Sequence, residues 1–89
     1  MYINLGNAYC IKAETIVGVF DFESSTISKR TRNFLNLAQK KDEIVNIGFD
    51  LPKSFVVAES ENKQTVYLSP LSTATILKRM SNIREGVKV

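Results

Sequence analysis

The residues best placed to do chemistry together are cations. Lys29, Arg30 and Arg32 sit almost side by side, Lys40 and Lys41 follow, and no Asp or Glu occurs from 24 to 41. Cations gathered on one helix face neutralise phosphates over a span and release condensed counterions, without needing any particular base. An ordinary solvated helix face would carry the same residues. Carboxylate chemistry has one candidate pair, Asp21 and Glu23, which share a face if their segment is a strand. Hydrolytic pairs need a cleft and one raised pKa, so a solvent-facing strand end is the simpler reading.

The rest of the inventory excludes more than it offers. The chain has no His, no Trp and one Cys, Cys10. A zinc cluster of Cys and His, a Ser–His pair and an imidazole acid–base group are therefore ruled out, as is a disulfide within the chain. Neither G-x-x-x-x-G-K-[ST] nor G-x-G-x-x-G occurs. No enzyme activity, metal, cofactor or small-molecule substrate is expected. No apolar run approaches the ~20 residues of a membrane helix, and the start lacks the apolar stretch of a secretory signal. A lone Cys suits a reducing compartment, so the cytoplasm is the expected location and no membrane partner is expected.

The elements that must position the cations follow from periodicity. Eighty-nine residues, 44% apolar and 24% charged, suit one small globular domain with a thin core. Residues 2–5 and 8–12 read as strands around a Gly6-Asn7 turn. Residues 16–22 are β-branched and aromatic and read as a well-buried third strand, with Gly18 marking a bulge or a close backbone approach. The spacing of Ile27, Thr31, Phe34, Leu35 and Ala38 predicts a helix over 26–41, capped by Ser24, Ser25 or Thr26. Strands are expected at 44–47, 54–58 and 65–68, with 59–63 as a hairpin loop. A final helix carries Ile76, Leu77, Met80 and Ile83. Ser69-Pro70 opens it, or Ser72 caps it, and Gly86 stops it. The fold class is α+β: one domain over 1–89 in the order βββα-βββα, an antiparallel-rich sheet with two helices, and 85–89 frayed.

Charge is distributed unevenly over this frame. Residues 24–41 hold five basic residues and no acid, whereas 42–61 hold Lys53 against five acids. Residues 62–89 hold five basic residues against Glu85. Both helices are thus basic. A net charge of +3 is small for a polyanion ligand, and a symmetric assembly repeating the same patch would multiply it.

Several segments together resemble the bacterial extracellular-matrix regulator family (RemA/RemB-like), most closely its RemB-like branch. They are Met1-Tyr2-Ile3-Asn4-Leu5-Gly6, Ile16-Val17-Gly18-Val19-Phe20-Asp21-Phe22, Pro52-Lys53-Ser54-Phe55-Val56-Val57, and Tyr67-Leu68-Ser69-Pro70-Leu71-Ser72 leading to Leu77-Lys78-Arg79. The resemblance implies a small α/β protein forming a homo-oligomeric ring, whose RemA-like branch binds DNA upstream of biofilm-matrix operons and activates transcription. That branch carries a Gly-Arg-Arg-Thr-Arg turn where this chain reads Asp50-Leu51-Pro52-Lys53-Ser54, so Leu51 and Pro52 replace the paired arginines. Another arginine of that branch falls near Thr15.

Two readings follow. In the first, the protein is a cytoplasmic transcription regulator that contacts double-stranded DNA as a homo-oligomer. Lys53, Lys29, Arg30, Arg32, Lys78 and Arg79 then touch phosphates, not bases. In the second, it is an oligomeric assembly or protein-interaction module of the same family that does not bind DNA. Most aromatic residues are expected in the core or in a subunit interface, with Phe49 the one marked as an interface candidate.

Overall fold

A computed structural model describes residues 1–22, 28–48 and 51–86, with side chains described as far as Ile83. The order is β1 (Tyr2–Asn4), β2 (Cys10–Lys12), a 3-10 turn (Ala13–Thr15), β3 (Ile16–Asp21), α1 (Lys29–Lys40), β4 (Ile44–Asn46), β5 (Ser54–Ser60), β6 (Lys63–Ser69) and α2 (Thr73–Gly86). This is the expected α+β succession of three strands and a helix, twice over. The strands form two sheets, however. β1 and β2 make an antiparallel hairpin of their own, and the other four lie in the order β3-β5-β6-β4.

The four-stranded sheet is built on the β5–β6 hairpin. Its turn is tighter than the expected 59–63 loop: Ser60 pairs with Lys63, and Glu61 and Asn62 both take positive φ, 52° and 64°. Positive φ at both central residues is the type I′ turn, whose twist matches that of the strands. β3 pairs antiparallel with β5, while β4 pairs parallel with β6. The parallel pair follows from α1, which carries the chain from one sheet edge to the other, a connection no hairpin can make.

β5 runs down the middle, and its side chains alternate between two cores. Phe55 and Val57 pack with Val66 and with Ala38 of α1. Val56 and Ala58 pack with Ile3, Leu5 and Ile11 of the small hairpin and Ile76 of α2. Because neighbours on a strand point to opposite faces, α1 covers one face and the β1–β2 hairpin with α2 covers the other.

β3 is not the well-buried strand expected from its composition. It is an edge strand, with Val17 68% and Phe20 47% exposed. The register slips between Ile16 and Gly18, leaving Val17 as the extra residue of a bulge, and bulges blunt sheet edges. The ring of Phe20 lies over Gly18, where a Cβ would stand 2.7 Å from it, and stacks on Phe55 at 5.0 Å. Gly18 thus borders the expected bulge, and what approaches it closely is the Phe20 ring and not another backbone.

α1 starts three residues later than expected, and α2 takes the second of its two expected starts. Ser28 caps α1, its hydroxyl accepting from the Thr31 N–H at 3.1 Å. The caps proposed at 24–26 and the core position Ile27 lie outside the described residues. Ser72 caps α2 by accepting from the Thr75 N–H at 3.2 Å, so the alternative start holds and Ser69-Pro70 does not open the helix. Leu77, expected inward, is exposed.

Ser69 and Pro70 instead lock the two sheets together. The buried Ser69 hydroxyl donates to the Leu5 carbonyl and accepts from the Leu71 N–H at 3.1 Å, while Ser54 Oγ donates to the Leu71 carbonyl at 2.8 Å. Pro70 fills the space between Gly6 and Gly48, where added Cβ atoms would lie 2.7 and 3.2 Å from its ring. Asn7 Nδ2 closes the same junction by donating to the Ile47 carbonyl at 3.0 Å. Ser69→Ala leaves the Leu71 N–H without its acceptor next to a fully buried side chain, at an expected cost of about 1–3 kcal/mol. Urea unfolding checks it, and a loss under about 0.5 kcal/mol, the scale of an ordinary surface change, would mean the lock is not held by this hydroxyl.

Candidate nucleic-acid interface

The six sequence-selected cations do not form one patch. Lys29, Arg30 and Arg32 are brought together, all exposed, in the first turn of α1. Helical spacing puts Lys29 and Arg32 on the side away from the buried Ala38, with Lys40 three turns on, while Arg30 lies on the flank with Phe34 and Leu37. Lys78 is exposed on α2, across the sheet from α1. Arg79 is half-buried and its Nη1 donates to the Asn4 carbonyl at 2.8 Å, tying α2 to the small hairpin. Lys53 is exposed at the start of β5, its backbone fixed by an N–H to the Ser69 carbonyl (2.9 Å) and a carbonyl to the Phe22 N–H (3.0 Å).

Electrostatics makes the first turn of α1 unusual. The positive end of a helix dipole favours acids, yet this turn holds three cations and no acid. None of the six cations forms an ion pair with another described residue. Among the described residues the ion pair is that of the Met1 ammonium with Glu14 at 2.8 Å, and the hydrogen bond from that ammonium holds the Glu14 carboxyl below its usual range. The free N–H groups, the dipole and the side-chain charges of α1 all favour an anion there.

Sequence reasoning missed the surface beside this turn. Val17, Phe20, Phe34, Phe55 and Val57 line an apolar groove of about 400 Å³ between β3 and α1, with Arg30 among its lining residues. Its signal was the apolar density of 16–22, read as buried because nothing in a single strand says that it will lie at an edge. On the other face, a polar groove of about 420 Å³ is lined by Tyr9, Lys12, Lys63 and Tyr67, among others. Burial, helped by the nearby Tyr9, raises the Tyr67 phenol above its ordinary pKa. Cys10 is exposed, with Ile11 turned into the core beside it. Among the described residues no group of three or more Cys, Asp or Glu is placed to hold a metal ion, and no helix is long and apolar enough to cross a membrane. The Asp21/Glu23 pair and Phe49 extend outside the described residues.

The model of the RemA-like family, described as extracellular matrix regulatory protein A-like, matches residues 2–80. The chain belongs to the RemA-like family. It is also 38% identical over 79 residues to extracellular matrix regulatory protein B of Bacillus subtilis (strain 168), an alignment covering 89% of each chain. The RemA-like match takes in both sheets, α1 and the part of α2 that holds Ile76 and Arg79. The Ser69-Pro70-Leu71 string that helped carry the resemblance is the junction between the two sheets, so its place in this RemA-like chain has a structural reason.

Proposed function

We propose that this protein is a cytoplasmic, non-enzymatic transcription regulator of the extracellular-matrix type that grips duplex-DNA phosphates as a homo-oligomer, in a ring as the family resemblance implies. The observation that carries the reading is the first turn of α1. Lys29, Arg30 and Arg32 stand there exposed and without ion-pair partners among the described residues, at a helix end whose dipole already disfavours them. A bound phosphate relieves that repulsion and supplies affinity with no base readout. Lys53 and Lys78 are the secondary contacts, brought into play by other copies in the assembly. Arg79 contributes last, because its guanidinium already serves Asn4.

A second reading, an assembly module that does not bind DNA, is favoured by Leu51. It is 90% exposed in the turn where the resemblance leads one to expect arginines. An apolar side chain there offers a polyanion nothing.

A fluorescence titration of a duplex across salt decides between them. Affinity is expected to fall steeply from about 50 to about 200 mM salt, with a log–log slope of about 0.9 per phosphate contacted. Charge reversal at Lys29 and Arg32 together is expected to flatten that slope. A protein of unchanged oligomer mass that does not bind the duplex even at low salt would favour the assembly module, and a double variant that binds like the wild type would show that the α1 turn is not the contact.

A further inference from the structure

We propose that the groove between β3 and α1 is a binding site for a small aromatic carboxylate, whose ring lies against Phe20, Phe34 and Phe55 while its carboxylate meets Arg30. The site itself is independent of the duplex-binding reading, and its consequence for DNA rests on that reading.

The sequence builds a ring-lined floor here for a local reason. Phe20 pairs in register with Phe55 and Gly18 with Val57, and Phe55 and Val57 face α1, where Phe34 packs. Gly18 brings no side chain to that face. The Phe20 ring lies in the space so left, 2.7 Å from where a Cβ would stand. There it stacks on Phe55 with ring centroids 5.0 Å apart and 17° between the planes. Val17 and Phe20 remain 68% and 47% exposed, so the groove opens to solvent at the sheet edge. A cleft of about 400 Å³, lined by rings and aliphatic side chains with a few polar groups among them, has the size and make-up of a small-molecule site.

The polar groups select the ligand. The Thr31 hydroxyl is engaged with Ser28 Oγ at 3.0 Å, and Gln64 Nε2 donates to Glu43 at 3.2 Å. Arg30 is the charged lining residue, exposed and without an ion-pair partner among the described residues. A guanidinium takes a carboxylate through two parallel N–H donors, and flat rings stack offset or edge-on against Phe. A neutral ring would leave Arg30 unused, and a bare anion would leave the floor wet. Three ring walls also favour a flat ligand over a flexible chain, which loses more rotamer freedom on binding. An aromatic carboxylate meets all these terms. Arg30 is also a phosphate contact in the duplex-binding reading, so an occupied groove withdraws it from DNA and acts as an effector site.

Calorimetric titration of the whole protein with 2-naphthoate tests the site. Binding is expected at about 0.1–1 mM, the range open to so small a ligand. Arg30→Gln, at an exposed position, is expected to weaken it about tenfold or more. The same ring without the charge, 2-naphthalenemethanol, is expected to bind the wild type equally poorly. Phe20→Ala is expected to weaken binding at unchanged helical circular dichroism. Lys63→Gln removes an exposed cation on the other face and is expected to bind as the wild type does. No binding at about 10 mM, undiminished affinity in Arg30→Gln, or tighter binding of decanoate would overturn the assignment. So would a fall in sedimenting mass on adding 2-naphthoate, which would put the groove between copies of the chain.

Duplex titrations in the presence of 2-naphthoate test the consequence. Affinity is expected to fall about twofold or more in the wild type and not in Arg30→Gln. Wild-type affinity that the ligand leaves unchanged would overturn the coupling to DNA and keep the site. A protein that binds 2-naphthoate through Arg30 but no duplex at any salt would overturn the DNA-binding reading alone.

Discussion

Gly6→Ala is expected to destabilise the protein by about 3–5 kcal/mol, and two separable effects combine to do it. Gly6 holds φ at +119°, a conformation L side chains rarely adopt, and strain of this kind costs about 1–3 kcal/mol. Its missing Cβ also leaves room for Pro70, whose Cγ and Cδ would lie 2.7 and 2.9 Å from an added methyl. Overpacking against a rigid ring costs a further 1–3 kcal/mol or so. A domain of this size has a total stability of about 4–13 kcal/mol, so the variant loses a large share of it. The midpoint of thermal unfolding is expected to fall by about 12 °C or more. Pairing Gly6→Ala with Pro70→Ala separates the causes: the clash is relieved and the strain remains, so the double variant should lose less than the sum of the singles. A midpoint within about 4 °C of wild type for Gly6→Ala alone would mean that the turn relaxes and that Pro70 is no wedge.

Ile76→Ala is the second large effect. Ile76 is the fully buried side chain through which α2 enters the core formed by Ile3, Leu5, Ile47 and Val56. Truncation removes its transfer free energy and leaves a cavity walled by both the small hairpin and the sheet, at a cost of about 2–5 kcal/mol. The urea midpoint is expected to move with little change in m, since the surface exposed on unfolding is nearly the same. Truncating Leu77, exposed on the same helix, is expected to change stability by about 0.5 kcal/mol or less, which makes it the matched control. Equal losses at the two positions would contradict the inward face assigned to α2.

The contrast between neighbours 76 and 77 shows how far a periodic pattern reaches. A hydrophobic stripe announces a helix, but where two apolar residues are adjacent it does not say which one the core will take. Ser69-Pro70 teaches the same lesson at a helix start. The pair has the composition of a cap followed by a first-turn proline, yet Ser69 reaches a carbonyl sixty-four positions away and Pro70 fills a gap left by two glycines. Tertiary hydrogen bonds and packing outcompeted a local signal.

The cations divide in the same manner. Lys29, Arg30 and Arg32 lie within one helical turn, so their proximity could be read directly from their spacing. Whether Lys78 joined them depended on which face of the sheet each helix covers, and that depended on β5 sending alternate side chains into two cores. The commitment of Arg79 to Asn4 spans nearly the whole chain and has no local signature.

From its amino acids alone this chain is determined to be a small α+β domain of eight regular elements in a set order, without histidine chemistry, with a cationic first helix and with a likeness to the RemA/RemB-like regulators. Those properties depend on composition and on side-chain periods of 2 and 3.6, which are local. The tertiary structure alone decided that β3 lies at an edge, that β4 joins the sheet in parallel, that the helices cover opposite faces and that an apolar groove opens beside Arg30. Each of these depends on which distant strand pairs with which, and pairing is settled by the joint burial of surfaces far apart in the chain, a quantity no single segment contains.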